Sequence, residues 1–169
     1  GIANRTDFDL QQHIKSSGKD LSLFDEESKK KIVPHVIAEP SQGVERAFLV
    51  FMFDSYNDDK KRGNVVLKLN PKLAPIKVGV FPLVNKLDNE AKKIYNELKK
   101  YYNCIFDKSG SIGRRYARAD EAGIPYCITV DFDTLKDKAV TVRNRDDTKQ
   151  VRVKIQDLNE TISKLINNS

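Results

Sequence analysis

The chain has 169 residues, 39% hydrophobic and 32% charged, and its 30 Lys and Arg against 24 Asp and Glu leave a formal charge of +6. These values exclude a collagen, a disordered acidic tail and a disulfide-stapled mini-protein. The longest uninterrupted apolar run, residues 47–53, is far short of the ~20 residues that a membrane span needs. In chain order, residues 2–8 lack a helical period and predict a short strand. Asp9 can cap a helix to about Ser16, stopped by Gly18. Residues 25–31, all charged but for Ser28, predict a hairpin tip, and residues 32–37 a strand in which Pro34 argues for an edge. Residues 39–43 form a tight turn. The run 44–56 (Ala47, Phe48, Leu49, Val50, Phe51, Met52, Phe53) is apolar without alternation and predicts a helix buried on nearly all sides. Residues 57–63 predict a polar loop, and 69–75, with Pro71 and Pro75, an extended linker.

Beyond the linker the pattern changes. Residues 76–81 predict a strand, and Asp88 caps a helix with Ala91, Ile94, Tyr95, Leu98 and Tyr102 on one stripe. Residues 104–106 predict a strand. Ser111 caps a helix to about Ala122, ended by Gly123, and residues 125–130 give a third strand. Residues 139–143 and 151–155 resemble an antiparallel pair, followed by a closing helix over 156–166. Strands alternating with helices in this way predict a mixed α/β sheet with helices on both faces. Cys104 and Cys127 sit in apolar strand-like runs at neither zinc nor redox spacing, so they are expected to be reduced core residues of a cytoplasmic protein. The chain starts without Met in strand-like sequence and has no signal-peptide core, which suggests a fragment.

Charge divides the chain as the elements do. Residues 1–70 carry 11 basic and 11 acidic side chains, and residues 71–169 carry 19 and 13. The basic part is the candidate polyanion binder, because Lys and Arg neutralise phosphate regardless of base sequence. A cationic surface kept for solubility is the plainer alternative.

Two segments carry candidate chemistry. In Glu39-Pro40-Ser41-Gln42-Gly43-Val44-Glu45-Arg46 a turn leads into a helix whose first N–H groups suit an anion. Gly43 permits close backbone approach. Arg46 can reach a phosphate or stack on a flat ring, Glu39 can accept from an ammonium group, and Ser41 adds a neutral acceptor. The plain alternative is a helix cap with a structural salt bridge. In the second segment, residues 108–121, Arg114 and Arg118 share one helical face, Arg115 points elsewhere and Tyr116 offers a stacking surface. The alternative there is neutralisation by Asp120 and Glu121 with Tyr116 packed inward. Arg145, in the turn Arg143-Asn144-Arg145-Asp146, is a further candidate base or phosphate contact. His13 and His35 lack supporting neighbours, and no P-loop or dinucleotide fingerprint is present.

Residues 1–10, Glu39-Pro40-Ser41 with Gly43 and Arg46, residues 110–118 and Val130-Asp131-Phe132-Asp133 together resemble the homodimeric type of glycyl-tRNA synthetase, in that family's order and over essentially the whole chain. The resemblance implies a class II aminoacyl-tRNA synthetase. Residues 1–70 would be the C-terminal part of its antiparallel catalytic sheet, with motif 3, and residues 71–169 its mixed-sheet α/β anticodon-binding domain. It implies that Glu39, Pro40, Ser41, Gln42 and Gly43 line a glycine pocket and that Gly43, Val44, Glu45 and Arg46 contact ATP. It also implies Mg2+ in the complete enzyme, tRNA(Gly) as partner and a homodimer, with no membrane. Arg114, Arg118 and Arg145 are the tRNA-binding candidates.

Two departures stand out. Ala38 lies between Ile37 and Glu39 where the family reads Ile-Glu-Pro-Ser, so a bulge must absorb it. Gln42 stands where the family commonly has an apolar residue. Motifs 1 and 2 are absent, so this chain alone is expected not to aminoacylate. A non-catalytic RNA-binding paralogue is the alternative, with less reason to keep Glu39, Ser41, Gly43 and Arg46 together.

Overall fold

The computed structural model describes residues 2–37 and 39–168, without the side chains of Ile2 and Glu39. The chain forms two compact units, Gly1–Leu49 and Val50–Ser169.

The first unit contains β1 (Ile2–Ala3), α1 (Phe8–Ser17), β2 (Leu23–Asp25), β3 (Lys30–Ile32) and β4 (Glu39–Pro40), and α2 (Val44–Ser55) starts in it. The first predicted strand is cut short. Ile2 and Ala3 pair antiparallel with Pro40 and Glu39, Thr6 adds an isolated bridge, and α1 starts at Phe8, so Asp9 lies in its first turn and pairs with Arg5 at 2.9 Å instead of capping it. Gly18 ends α1 in the left-handed region at φ 67°, its N–H donating to Ile14 O. The charged stretch does form a hairpin tip, between β2 and β3, with the Asp25 carboxylate accepting from the Ser28 N–H. Beyond Ile32, Pro34 interrupts pairing, and only Val36 bridges to Thr6.

The expectation for the apolar run is corrected. Residues 44–55 are helical, but Phe48, Leu49, Val50, Phe51 and Phe53 are exposed, Phe53 by 76%. Burial on all sides requires neighbours on all sides, and within α2 only Ser55 is buried.

The second unit continues with β5 (Tyr56–Asp59), β6 (Asn64–Leu67), β7 (Val78–Pro82), α3 (Asp88–Leu98), β8 (Cys104–Phe106), α4 (Ile112–Glu121), β9 (Tyr126–Val130), α5 (Thr134–Asp137), β10 (Ala139–Asn144), β11 (Gln150–Lys154) and α6 (Leu158–Asn167). The expected polar loop over 57–63 is the first strand and turn of a β5–β6 hairpin. The expected extended linker is a packed turn: the Leu73 and Ala74 N–H groups donate to Asn70 O, and Ala74 is buried.

The five-stranded sheet has the order β11-β10-β9-β7-β8, parallel at β8-β7-β9 and antiparallel beyond. Alternation along the strands divides the core between its faces. Val78, Val80, Ile128, Val130, Val140 and Val142 pack with Leu87, Ala91, Ile94 and Leu98 around α3 and with Leu158, Ile162 and Ile166 of α6. On the other face Phe81 and Cys127 pack with Ala119 of α4 and Ile124. The outer strands leave that second face open toward β11, in two polar rows: Thr129, Thr141, Arg152 and Cys127, Arg143, Gln150. No helix among the described residues is long and apolar enough to cross a membrane.

Candidate functional site

The turn into α2 places Pro40, Ser41, Gln42, Gly43, Val44, Glu45 and Arg46 all at the surface. The first bond of the helix runs from the Ala47 N–H to Gly43 O at 3.0 Å, so the three preceding N–H groups face outward from a helix start. A methyl group on Gly43 would lie 3.9 Å from Arg46 Cγ, which means the arginine stem folds back over the glycine. Gly43 and Arg46 are therefore neighbours in space. The Glu39 side chain and the bulge expected at Ala38 lie outside the described residues.

The predicted arginines separate into three environments. Arg114 is exposed near the start of α4, and no ion pair holds it among the described residues; its stem lies over Gly110. Arg118 is exposed too, but its guanidinium donates to Asp107 Oδ2 at 2.6 and 3.0 Å and to Ser109 O at 2.7 Å. Arg145 corrects the reading. It is 1% exposed, with its guanidinium donating to Gly123 O at 2.9 Å, to Leu69 O at 2.8 Å and to the Asp146 carboxylate. It ties the turn 69–75 to the sheet and offers no group to a ligand.

Arg115 does point elsewhere. It is buried, and its guanidinium donates to Pro82 O and to Gly110 O, joining the end of β7 to the loop before α4. Asp120 is not a local neutraliser of α4. It is buried and takes a bidentate pair from Arg143 at 2.7 and 2.9 Å, and Arg62 of the β5–β6 turn adds a third contact at 3.3 Å. Tyr116 packs inward beneath the Arg143 guanidinium, 4.7 Å from its ring centre, and shares a 2.6 Å hydrogen bond with the Thr129 hydroxyl. Burial holds the Tyr116 phenol above its ordinary pKa.

Tyr116 and Thr129 line a crevice that periodicity alone does not reveal. It has a volume of about 260 Å3 and is lined by Leu83, Ile112, Tyr116, Thr129, Asp131, Thr141 and Gln150. It opens at the carboxyl ends of β7 and β9, where ligands of open α/β sheets bind. Leu83, Ile112 and Tyr116 give it apolar walls; the Thr129 hydroxyl is shared with Tyr116, the Thr141 hydroxyl accepts from Arg152 at 3.2 Å, and Gln150 gives a neutral donor and acceptor. Its one carboxylate is already engaged. Arg152 donates to both oxygens of Asp131 and also to Asp137 at 3.0 Å, and Thr134 N–H donates to Asp131 at 3.0 Å. Burial by itself would raise the Asp131 pKa, but the hydrogen bonds from Arg152 and Thr134 outweigh it and hold it low. The crevice therefore combines an apolar lining with a carboxylate matched by Arg152, and α4, which supplies Ile112 and Tyr116, also carries Arg114, an arginine with no ion pair among the described residues. That arrangement suits an unstacked base with a phosphate at the rim. The sequence signals were present in Val130-Asp131 and in the Ser111 helix start; Thr141 and Gln150, from the hairpin, carried none. No cluster of three or more His, Cys, Asp or Glu side chains among the described residues could hold a metal.

Comparison with known proteins bears on this geometry. The profile of the family described as "Anticodon binding domain" matches residues 77–165, the segment containing the whole five-stranded sheet. A glycine–tRNA ligase of Acetivibrio thermocellus is 53% identical over 161 residues, covering 94% of this chain and 35% of that protein. One of Clostridium acetobutylicum is 47% identical over 169 residues, 98% of this chain and 36% of that protein. The chain thus spans about a third of the length of the curated relatives it matches. Among solved structures, the RNA binding domain of a threonyl-tRNA synthetase from Cryptosporidium parvum superposes with a TM-score of 0.54 at 25% identity, over 57% of this chain and 25% of that one. A histidyl-tRNA synthetase from Nostoc, 24% identical, shares the fold with a TM-score of 0.53 over 58% of this chain and 24% of that chain.

Proposed function

Since the chain belongs to the anticodon binding domain family through residues 77–165, we propose that it is the C-terminal portion of a glycine–tRNA ligase whose sheet unit binds the anticodon end of tRNA(Gly). Residues 1–70 are then the C-terminal part of a class II catalytic domain and residues 71–169 the anticodon-binding domain. The observation that carries this reading is the extent of the likeness. The glycine–tRNA ligases match 94–98% of the chain, far beyond the domain family's own limits, and so include the turn at 39–46. The exposed apolar surface of α2 supports it too, because a helix of that composition fits the interior of a larger catalytic domain.

In this reading Glu39, Pro40, Ser41, Gln42 and Gly43 line the glycine pocket, Glu39 and Ser41 holding the ammonium group. Gly43, Val44, Glu45 and Arg46 contact ATP. Glycine attacks the α-phosphorus of ATP, pyrophosphate leaves, and the tRNA 3′-terminal hydroxyl then takes the glycyl group from the adenylate, releasing AMP. The part this chain plays in that chemistry is positioning and charge stabilisation by Arg46 and the α2 N-terminus. The residues described here do not by themselves fit a Mg2+ site, and no step assigned to this chain uses one. The complete enzyme is a cytoplasmic homodimer in this reading. At the other end of the molecule, the crevice takes an unstacked anticodon-loop base, with Arg114 on a neighbouring phosphate.

The test is tRNA binding by the 169-residue chain together with glycine-dependent ATP–pyrophosphate exchange. The expected result is tighter binding of tRNA(Gly) than of a tRNA differing only in its anticodon, with no exchange activity. Equal affinity for the two tRNAs overturns the anticodon assignment, and exchange by this chain alone overturns the view that its active site is incomplete.

A further inference from the structure

The edge of the sheet opposite the crevice holds a second concave surface. It encloses about 350 Å3 and is lined by Lys77, Lys99, Lys100, Tyr101, Tyr102 and Asn103, without a carboxylate. Lys77 and Asn103 immediately precede β7 and β8, so this surface lies at the amino ends of the strands whose carboxyl ends flank the crevice.

Lys77 is the informative residue. Its ammonium is partly buried and donates to Pro71 O and Lys72 O, each at 2.8 Å. Two carbonyls occupy two of three donors, and no carboxylate pairs with it among the described residues. Burial lowers its pKa, as it does for a cation drawn from water without a counter-ion. Lys99 also pairs with no carboxylate there; its ammonium lies 5.6 Å from the Tyr95 ring centre. Lys100 is matched by Glu97 at 2.7 Å. Tyr101 is 64% exposed beside them, and Tyr102 is anchored by donating to Asn159 O at 3.1 Å. Lysines near the end of α3 complement the helix dipole in any case. That accounts for Lys99 and Lys100, but not for Lys77, which is off the helix and held in the lining of the hollow by two carbonyls.

We propose that this edge is a second RNA contact, binding a backbone phosphate between Lys77 and Lys99/Lys100 with the adjoining base stacked on Tyr101. The chemistry recognised is a phosphate ester beside a flat ring, from either an RNA strand or a free nucleotide. Recognition is independent of base identity, because every base has a face to stack. The site does not depend on the crevice or on the ligase assignment.

The experiment titrates the 169-residue chain with an unstructured 12-nucleotide RNA lacking the glycine anticodon and, separately, with uridine monophosphate, following backbone amide NMR shifts and fluorescence anisotropy at several salt concentrations. The RNA should shift the amides of Lys77 and of residues 99–103 and bind more tightly than the mononucleotide. The double variant Lys99→Gln/Lys100→Gln should flatten the plot of log affinity against log salt by about 0.7, one phosphate contact on a single strand. Tyr101→Ala should weaken binding roughly tenfold, the low end of the range for a lost base stack. Saturation by uridine monophosphate with no gain for the RNA overturns the RNA assignment. Unchanged affinity and slope in the lysine double variant, melting like the parent, overturns the site.

Discussion

Replacing Asp120 by Ala tests the packing that shapes the crevice wall. Asp120 is 1% exposed and Arg143 6% exposed, and the two share paired bonds of 2.7 and 2.9 Å. Removing the carboxylate leaves a guanidinium enclosed without a counter-charge, a loss that costs about 3–5 kcal/mol when one partner of a buried pair is deleted. For the 120 residues from Val50 to Ser169, an unfolding entropy of about 2.1 cal/mol/K per residue gives roughly 0.25 kcal/mol/K, so the midpoint should fall by about 12–20 °C. Tyrosine near-UV circular dichroism reports this unit alone, because all six tyrosines lie at or beyond position 56 and there is no Trp. Arg62→Ala removes the outer 3.3 Å contact together with the bonds to Arg145 O and Asp146 O and the Asp59 pair, but leaves the bidentate pair, so it should cost about 2–3 kcal/mol. The double variant Asp120→Leu/Arg143→Met should recover most of the loss, because the penalty belongs to the orphaned charge. A drop below about 4 °C for Asp120→Ala, or no recovery in the double variant, would refute the argument.

The sequence-predicted arginines should separate by assay. Arg114→Ala is expected to lower the salt dependence of tRNA binding by about 0.7 with unchanged melting, as for one lost phosphate contact on a single-stranded loop, whereas Arg145→Ala should lower the melting midpoint without changing the salt slope of the folded protein. Gly123→Ala should destabilise by about 2 kcal/mol or more, since φ is 73° and a Cβ would meet Leu67 O at 3.2 Å. Gly63→Ala, at φ 72° with open space around it, should cost only about 1 kcal/mol, and equal losses in chemical denaturation would remove the crowding argument. Burial pushes the Cys127 thiol up to about 12 from 9.0. Its protonated form is thus favoured by folding, so this contribution to stability is complete below pH 9 and is lost as pH rises from 9 toward 12, by up to about 1.4 kcal/mol per unit. Alkylation at pH 8 should accordingly spare Cys127 in the native protein and modify it in denaturant, and labelling at a free-thiol rate without denaturant would contradict its burial.

Much of the sheet unit was legible because its signals are local. The stripe Ala91, Ile94, Leu98 is buried as the 3.6-residue spacing requires, and the apolar runs at 76–81 and 125–130 hold β7, but for Pro82, and β9. The β5–β6 hairpin was not legible. Tyr-Asn-Asp-Asp disfavours a strand by propensity, and it pairs because Val66 and Leu67 opposite are buried in the second unit. Arg145 was misread for a related reason. Its partners Gly123 O and Leu69 O are backbone groups, and a carbonyl 76 residues away leaves no mark on the sequence around an arginine.

The candidate site shows the same limit more sharply. A helix start with a glycine before it is visible in Gly110-Ser111, but whether it faces a ligand depends on what stands opposite. Opposite α4 stands a strand pair whose outward rows, Thr129-Thr141-Arg152 and Cys127-Arg143-Gln150, mix apolar, neutral and charged residues that look like ordinary surface when read along the chain. Read across the sheet, Arg143 is consumed by Asp120 and Arg152 by Asp131 and Asp137. The cations that dominate the sequence there are thus spent on structure, and the Thr141 hydroxyl is engaged by Arg152 and Asp131 as well, leaving the exposed Gln150 as the polar side chain of these rows with no hydrogen bond among the described residues. Net charge pointed to the part of the chain that the anticodon binding domain family matches, but not to which of its arginines are spent on structure, as Arg145 is. Long-range attraction to a polyanion is set by summed charge, while discrimination in a crevice is set by donors and acceptors that internal pairing has not already used.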